Sequence, residues 1–261
     1  MAADAPRLYL DPDRLTGPMT PGGELLLDED QAHYLRAVMR RETGAALALF
    51  NGRDGEWAAE LVAVGKRGAA ARLVAQHRLP APERRLELVM APVKRGPVEF
   101  AVEKATELGV TAIRFAVTRR TVVDRLRMDR LAAIAREAAE QCERLTVPSI
   151  HAPEPLDTVL DRLDDLPVVF GDETGAGRPA AAVAAMLGDG PAGLLTGPEG
   201  GFDPAELDRL RARPHLTAIG LGPRVLRAET AVIAGLAVLQ ALAPDGGGAR
   251  HRPGPPTSLP G

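Results

Sequence analysis

Over the first eighty residues, short apolar runs alternate with turn-forming residues. The runs cover residues 45–50, 57–64 and 69–75, and Asn51-Gly52, Asp54-Gly55 and residues 65–68 separate them. Short apolar runs joined by such turns are typical of β-hairpins, so the pattern predicts a small barrel. One short helix is expected to interrupt this barrel, with Asp28 or Asp30 as its N-cap and a run through residues 33–39.

After Leu79-Pro80-Ala81-Pro82, which has the composition of a linker, the pattern changes to strand and helix in alternation. Strands are predicted at 86–91, 112–117, 168–170, 194–195 and 216–221, and amphipathic helices at 98–108 and 131–145. This alternation indicates an α/β domain with a parallel sheet covered by helices. The last helix, 229–243, is apolar on nearly every side, which predicts burial against the sheet or a second subunit. Ten of the 18 residues from 244 to 261 are Pro or Gly, so we expect a disordered tail.

Charge is distributed unevenly along the chain. The formal net charge is −3, from 32 Lys and Arg against 35 Asp and Glu. Residues 31–144 hold 21 basic and 14 acidic residues, which gives +7, and the remainder holds 11 and 21, which gives −10. A basic half predicts that part of the surface binds a polyanion such as nucleic acid. The alternative is an arginine-rich composition with simply solvated faces.

Several classes of protein are excluded or disfavoured by composition. The single cysteine, Cys142, rules out an intramolecular disulfide and any site with several cysteine ligands. The five histidines are scattered without metal-ligand spacing, so no metal is expected. We see neither a secretory signal nor an apolar stretch of the roughly 20 residues that span a bilayer. The expectation is a cytoplasmic protein without a membrane partner.

The strongest local motif joins a predicted strand to a helix start. It reads Leu195-Thr196-Gly197-Pro198-Glu199-Gly200-Gly201-Phe202-Asp203-Pro204. Asp203 is the expected N-cap, Pro204 the first helical residue, and Glu206 the partner in a capping box. The glycines allow close approach to a ligand, and the loop would lie at the carboxyl edge of the sheet, where α/β proteins bind ligands. It matches neither the dinucleotide fingerprint nor the phosphate loop. The alternative is a merely tight turn.

Two further motifs offer charged groups. Residues 219–231 form another strand-to-helix junction that carries Arg224, Arg227 and Glu229, unless Arg227 and Glu229 simply pair on the surface. In the helix at 131–145, the spacing i, i+3, i+4, i+7 predicts one polar stripe, although two of its members could be only an exposed ion pair. The members of the stripe are Glu137, Glu140, Gln141 and Arg144. Cys142 is expected on the core side of this helix, which disfavours a cysteine nucleophile, and no serine elbow is present.

Together these segments resemble the SPOUT class of methyltransferases, most closely the bacterial family that methylates N3 of uracil in small-subunit ribosomal RNA. The resemblance extends to about residue 242. It rests on these strings: Pro6-Arg7-Leu8-Tyr9; residues 33–40 with Phe50-Asn51-Gly52; Lys104-Ala105-Thr106-Glu107-Leu108-Gly109-Val110; Glu137-Ala138-Ala139-Glu140-Gln141 with Arg144 and Val147-Pro148; residues 196–202; and residues 221–231. Glu103, where an amide is expected, and Ala228, where threonine is common, depart from the pattern.

The resemblance implies a PUA-like β-barrel at 1–78 that binds RNA, followed at 83–243 by an α/β domain with a deep trefoil knot. It implies a homodimer, S-adenosyl-L-methionine as methyl donor, and a uridine in the decoding region of 16S rRNA, within the 30S subunit, as substrate. The cofactor-binding residues are then Phe170, Gly171, Thr196, Gly197, Glu199, Gly200, Ile219, Leu221, Gly222 and Leu226. The RNA-binding residues are then Arg7, His33, Arg36, Arg40, Lys94, Lys104, Gln141, Arg144 and Arg227. For His33, packing at a helix start is an equal alternative.

Methylation of N3 requires loss of the N3 proton, which leaves negative charge on the uracil oxygens. A guanidinium beside one oxygen would stabilise that charge, and Arg224 is the candidate. The proton acceptor stays open among Glu199, Glu229 and Glu140. Three other hypotheses are a related knotted methyltransferase that acts on another RNA, a non-catalytic RNA-binding factor, and a Rossmann-type oxidoreductase, although the last lacks its glycine fingerprint.

Overall fold

The computed structural model describes residues 5–66, 68–123 and 125–243. It divides into two compact units, which meet in the sequence between Pro82 and Glu83. The predicted tail, 244–261, lies outside the described residues. Within the described residues, no helix has the length and apolar character needed to cross a bilayer.

The N-terminal unit is built on one five-stranded sheet. Its elements are β1 (Arg7–Tyr9), β2 (Glu24–Leu27), α1 (Glu29–His33), β3 (Ala46–Asn51), β4 (Gly55–Val64) and β5 (Ala69–Arg78). The strand order is β1-β3-β4-β5-β2, in which only β1 and β3 are parallel. The three apolar runs of the sequence are β3, β4 and β5. Because the order ends at β1 and β2, the described sheet is a half-barrel, and it curves over a core that includes Leu35, Leu49 and Trp57.

The sequence predicted either Asp28 or Asp30 as the N-cap of the helix in this unit, and the structure shows which residue it is. Asp28 is the N-cap: its Oδ1 accepts the Gln31 N–H at 2.9 Å, and Gln31 Oε1 accepts the Asp28 N–H at 3.2 Å. This reciprocal pair is a capping box. The chain continues from α1 into a π-helical turn over Tyr34–Val38, so the predicted helical run is confirmed with Asp28 as its cap.

The C-terminal unit alternates strands and helices as predicted. Its elements are β6 (Leu86–Met90), α2 (Arg95–Glu107), β7 (Ala112–Val117), α3 (Met128–Gln141), β8 (Ser149–Ile150), β9 (Glu154–Pro155), α4 (Leu156–Asp161), β10 (Val168–Gly171), β11 (Arg178–Pro179), α5 (Ala180–Leu187), β12 (Ala192–Thr196), α6 (Pro204–Ala212), β13 (Leu216–Gly220) and α7 (Ala228–Ala241). The sheet order is β11-β13-β10-β12-β6-β7-β8, and β9 pairs with β7. Every described pairing in this unit is parallel. The α/β class, with a parallel sheet in the C-terminal unit and a smaller β unit before it in the sequence, is therefore confirmed.

Alternate residues of the central strands pack into two separate cores. Leu88 and Leu194 face a core formed with α2, α3, α5 and α7. Val89 and Leu195, their neighbours in the chain, face a second core formed with α4 and α6. Because successive side chains of a strand point to opposite faces, near-continuous apolar strands indicate a sheet covered on both sides.

Helix α3 ends earlier than the sequence pattern predicts. Its last residue is Gln141, Cys142 is the half-buried C-cap, and Glu143 has a positive φ of 62°. That left-handed residue turns the chain away from the helix axis. The predicted stripe is therefore wrong at Arg144, which lies outside the helix, and Cys142 lies at its end rather than on its core face.

Helix α7 buries one stripe and leaves other apolar positions half-exposed. Val232, Gly235, Leu236 and Leu239 are buried against the sheet and its helices. A Cβ on Gly235 would lie 2.7 Å from Leu194 Cδ2, so a side chain there would force Leu194 to shift, and glycine allows the close packing of α7 on β12. The burial against the sheet that the sequence predicted is confirmed.

Candidate active site at the carboxyl edge of the sheet

Three neighbouring strands bring the predicted cofactor loops together. β10 lies between β12 and β13, and the register pairs Phe170 with Leu195 and Gly171 with Ile219. Since the strands are parallel, their carboxyl ends meet at one edge. Phe170, Thr196 and Ile219 are buried at that edge, and each is followed by a loop that contains glycine.

The loop after β12, residues 197–203, is called the glycine loop here. It ends in a rigid helix start. Asp203 Oδ1 accepts the Ala205 N–H at 3.1 Å, and Glu206 Oε2 accepts the Asp203 N–H at 3.0 Å. Pro204 is the first helical residue. The capping box predicted from the sequence is confirmed, and it fixes the exit of the glycine loop.

Two of the three glycines in this loop have close contacts that a side chain would disturb. A Cβ on Gly197 would lie 3.1 Å from the Phe202 ring. Gly201 has φ +69°, and a Cβ there would collide with the Glu173 carboxylate. Glu173 Oε1 in turn accepts the Phe202 N–H at 3.1 Å. The loop is therefore packed against its surroundings rather than being a free turn.

The segment after β10 is held by a buried carboxylate. Asp172 Oδ1 accepts hydrogen bonds from the Thr174 N–H and hydroxyl at 3.0 and 2.6 Å, and Arg211 Nη2 donates to Oδ2 at 2.7 Å. Burial alone would raise the pKa of Asp172, but the hydrogen bonds from Thr174 and Arg211 hold its pKa below the ordinary value. The ionised form therefore ties the segment to α6.

Thr196 carries an unusual hydroxyl at the centre of this edge. The residue is 2% exposed, and within the described part of the chain its Oγ1 has no hydrogen-bond partner. Its carbonyl, by contrast, accepts the Ala91 N–H at 3.1 Å. A buried hydroxyl without a partner costs free energy, and a polar ligand would satisfy it. With the glycines beside it, Thr196 fits a polar cofactor bound at this edge.

The loop after β13, residues 221–227, presents charged groups at the same edge. Gly222 has φ +109°, and Arg224 and Arg227 are exposed. Neither arginine forms an ion pair with another described residue, so the suggested pairing of Arg227 with Glu229 is wrong. Glu199 in the glycine loop is exposed, and Glu229 in the first turn of α7 is half-buried.

Glu140 lies far from these carboxylates along the fold. Helix α3 starts after the carboxyl end of β7 and runs back along the sheet to pack against β8, which pairs with the amino end of β7. Glu140 is the penultimate residue of α3, so it sits at the amino edge. Within one chain, this placement removes Glu140 from the candidates for the proton acceptor.

The predicted RNA contacts of the N-terminal unit differ in availability. His33, Arg36 and Arg40 are exposed on and after α1, which disfavours the alternative that His33 is packed. Arg7 is 10% exposed at its side chain, pairs with Glu56, and stacks 3.5 Å from the centroid of the Phe50 ring. Its guanidinium therefore supports the half-barrel from within.

The predicted RNA contacts of the C-terminal unit also differ in availability. Lys94 and Gln141 are exposed. Lys104 Nζ donates to Glu103 and Glu107 at 2.7 and 2.8 Å, and these bonds raise the pKa of Lys104.

Arg144, by contrast, is 9% exposed at its side chain. Its Nη1 donates to the carbonyls of Thr106 and Val110 at 2.7 and 2.9 Å. In this chain the guanidinium of Arg144 therefore braces the end of α2.

Two arginines that the sequence analysis did not single out adjoin the glycine loop. Arg120 Nη1 donates to the Gly200 carbonyl at 2.7 Å, and the Arg119 N–H donates to Glu206 Oε1 at 2.8 Å. Glu173 was missed in the same way. None of the three belongs to a motif, and only their contacts with the glycine loop reveal them.

Comparison with known proteins gives the same division of the chain. Residues 80–240 match a family described as RNA methyltransferase domain, and residues 27–74 match one described as RNA methyltransferase PUA domain. Relatives named ribosomal RNA small subunit methyltransferase E include one from Rickettsia conorii that is 32% identical. The similarity to it covers 83% of this chain and 89% of the relative. Another, from Bacillus subtilis, is 30% identical over 80% of this chain and 87% of its own length.

A solved structure is similar over nearly the whole chain. It is the ribosomal RNA small subunit methyltransferase E of Neisseria gonorrhoeae bound to S-adenosyl methionine, with a TM-score of 0.79 and 26% identity. The similarity covers 91% of this chain and 98% of that one. A parallel α/β unit with a glycine loop, preceded by a PUA unit, defines an RNA methyltransferase of the PUA-containing class. The chain belongs to the family of ribosomal RNA small subunit methyltransferase E.

Proposed function

We propose that this protein transfers a methyl group from S-adenosyl-L-methionine to N3 of one uridine in the decoding region of 16S rRNA, within the assembled small subunit. The observation that carries the proposal is the buried hydroxyl of Thr196 beside the glycine loop, which has no hydrogen-bond partner among the described residues, in a chain of this family. The substrate nucleotide follows from the resemblance of the motifs, and the cofactor also from the solved relative.

The cofactor would be held by the ends of β10, β12 and β13 and the loops after them. The residues proposed for this are Phe170, Gly171, Thr196, Gly197, Glu199, Gly200, Ile219, Leu221, Gly222 and Leu226. When bound, S-adenosyl-L-methionine supplies an electrophilic methyl group on a sulfonium. The Thr196 hydroxyl can bond a polar atom of the cofactor, and the glycine backbone permits close approach.

The chain's own groups would handle the charge and the proton of the uracil. Arg224 is exposed in the middle of the loop after β13 and has no ion-pair partner among the described residues, so its guanidinium is available to a uracil oxygen as N3 becomes anionic. Glu199 and Glu229 are the carboxylates of this edge that we propose as acceptors of the N3 proton. Alignment of N3 with the methyl carbon would supply the remainder of the rate enhancement.

RNA would be bound by basic residues of both units. His33, Arg36 and Arg40 offer one exposed group, and Lys94, Gln141 and Arg227 are exposed in the C-terminal unit. Contacts with phosphates make binding dependent on salt concentration. Arg7, Lys104 and Arg144 already have internal partners, and we propose that Arg7 and Arg144 support RNA-binding surfaces instead of contacting phosphate.

We further propose that the protein is a cytoplasmic homodimer with a knotted C-terminal unit. The half-buried apolar positions of α7, such as Ile233 and Val238, support a second subunit on that helix. β13 comes later in the chain than β10 and β11 yet lies between them. The segment from 172 to 177 therefore passes over the end of β13, which supports a threaded topology.

Transfer of labelled methyl to small subunits that lack the modification tests this function. We expect incorporation into 16S rRNA in assembled 30S subunits and little into large subunits. Incorporation into large subunits or tRNA instead would assign the protein another RNA substrate. No transfer to any RNA, with binding of the donor also absent, would favour a non-catalytic RNA-binding factor.

Arg224→Ala tests the role of the guanidinium. We expect kcat to fall by about 10²–10³, the usual cost of losing one donor to a developing oxyanion, while the Kd for S-adenosyl-L-methionine stays within about twofold of the wild-type value. Arg209→Ala, which removes an exposed arginine of α6 that pairs with Asp157, is the control for lost charge. Full turnover in Arg224→Ala would contradict the assignment.

A further inference from the structure

A short turn leaves β7 and lies against the glycine loop. In this turn, residues 118–121, the Thr118 N–H donates to Thr121 Oγ1 at 2.9 Å, and the Thr121 N–H donates to the Thr118 carbonyl at 3.1 Å. Thr118 is 5% exposed. These bonds give the turn a defined shape, so the two arginines within it are presented in fixed directions.

The turn is attached to the start of α6 by a buried carboxylate. Glu206 is 3% exposed. One of its oxygens accepts the Asp203 N–H and the other accepts the Arg119 N–H. A single carboxylate therefore completes the capping box and also fixes the turn beside the glycine loop. Both of its hydrogen bonds are charge-assisted, which makes them stronger than neutral ones.

Two opposite charges hold adjacent parts of the glycine loop. Arg120 Nη1 donates to the Gly200 carbonyl at 2.7 Å, and its Cδ lies 3.6 Å from the place where a Cβ of Gly200 would be. Two residues further on, Glu173 Oε1 accepts the Phe202 N–H at 3.1 Å. A cation thus holds a carbonyl, an anion holds an amide, and each comes from a different crossover of the sheet.

We propose that Arg120 is a positioning residue for the cofactor, acting through the Gly200 carbonyl with Glu173 as its counterpart; this inference rests on the proposed function. Gly200 and Gly201 have more backbone freedom than other residues. A loop that is free before binding must be ordered when the ligand binds, and that cost lowers affinity. The two charged contacts order the loop beforehand.

The same arginine could instead contact an RNA phosphate, and the two roles differ in measurable ways. A phosphate contact contributes to RNA affinity and to its dependence on salt, and its loss lowers the salt slope by about one unit. A positioning role contributes to affinity for the cofactor in the absence of any RNA. Binding measured without RNA therefore separates the two.

The test is calorimetric titration of the full chain with S-adenosyl-L-methionine, without RNA, for wild type, Arg120→Ala, Arg120→Lys and Arg125→Ala. Arg125 is an exposed arginine further along the same connection, so its variant controls for lost charge. We expect Arg120→Ala to raise Kd about three- to tenfold, because an exposed hydrogen bond that orders the loop passes only part of its free energy to cofactor binding. Arg120→Lys should restore part of the affinity, and Arg125→Ala should match wild type.

Hydrogen exchange gives a second readout that needs no ligand. In ligand-free Arg120→Ala, amides of residues 199–202 should exchange faster than in wild type, and those of β12 should not change. Unchanged Kd and unchanged exchange in Arg120→Ala would overturn the proposal, as would a loss confined to RNA binding. If wild type itself fails to bind S-adenosyl-L-methionine, the proposed function fails and this inference fails with it.

Discussion

Replacing Thr196 with valine should increase the stability of the ligand-free protein and lower its affinity for the cofactor. Valine has nearly the shape of threonine and keeps the β-branch that suits a strand. The hydroxyl that it removes is buried at the end of β12 and has no partner among the described residues. Its removal therefore deletes a desolvation cost from the ligand-free state and a hydrogen bond from the bound state.

The size of both effects follows from the isolation of the hydroxyl. An unsatisfied buried polar group costs about 1–3 kcal/mol, so unfolding of Thr196→Val should require at least about 1 kcal/mol more. For a unit of this size, 1 kcal/mol raises Tm by about 2–4 °C. One neutral hydrogen bond contributes about 0.5–1.5 kcal/mol, so the Kd for S-adenosyl-L-methionine should rise by about 2–12-fold.

Thr106→Val is the matched control. Thr106 is fully buried in α2, and its Oγ1 donates to the Val102 carbonyl at 2.8 Å. The same substitution there removes a satisfied hydroxyl, so it should lower stability by up to about 1 kcal/mol and leave cofactor affinity unchanged. Thermal unfolding and titration calorimetry measure both quantities. If Thr196→Val loses stability as Thr106→Val does and binds the cofactor with normal affinity, the Thr196 hydroxyl is not a cofactor-binding group.

Two further substitutions test how the loops are held. Gly201→Ala places a Cβ at φ +69° where it meets the Glu173 carboxylate, so urea unfolding should show a loss of about 2–3 kcal/mol from backbone strain and a displaced hydrogen bond. Gly200→Ala, with a nearest contact at 3.6 Å, should cost less than about 1 kcal/mol, and equal losses would contradict this account. Asp172 has a lowered pKa, so it contributes stability above its ordinary pKa, and that stability disappears as pH falls through the lower, folded value. Asp172→Asn should therefore be less stable than wild type at pH 7, and the difference should shrink once the pH falls below the ordinary carboxyl pKa; a difference that does not shrink there would refute the role of the carboxylate.

Local patterns predicted the long elements of the fold well. The strand at 112–117 has the predicted bounds, and the hairpins formed by β3, β4 and β5 follow the turn dipeptides. β1 and β2 were not predicted because three or four residues are too few to show a period. The end of α3 was misplaced because apolar spacing carries no information on the positive φ of Glu143.

The candidate site likewise has parts that the local sequence predicts and parts that only the fold brings together. The glycine loop, its cap and the strand before it are contiguous in sequence, so their chemistry could be predicted together. Arg120 and Glu173 contact that loop from 80 and 29 residues away in the sequence. No local sequence pattern predicts contacts over such separations. The burial of Arg144 was also invisible, because its partners, the carbonyls of Thr106 and Val110, are brought to it only by the fold.

The identity of the methylated nucleoside tests the central claim most directly. Small subunits that lack the modification would be incubated with the protein and labelled S-adenosyl-L-methionine, the 16S rRNA digested, and the nucleosides separated by mass spectrometry against standards. The account predicts 3-methyluridine as the labelled product, with an initial rate of labelling about 10²–10³-fold lower when Arg224→Ala replaces the wild type. Label in 5-methyluridine, in a 2′-O-methylated nucleoside or in another base would contradict a reaction at N3 of uracil.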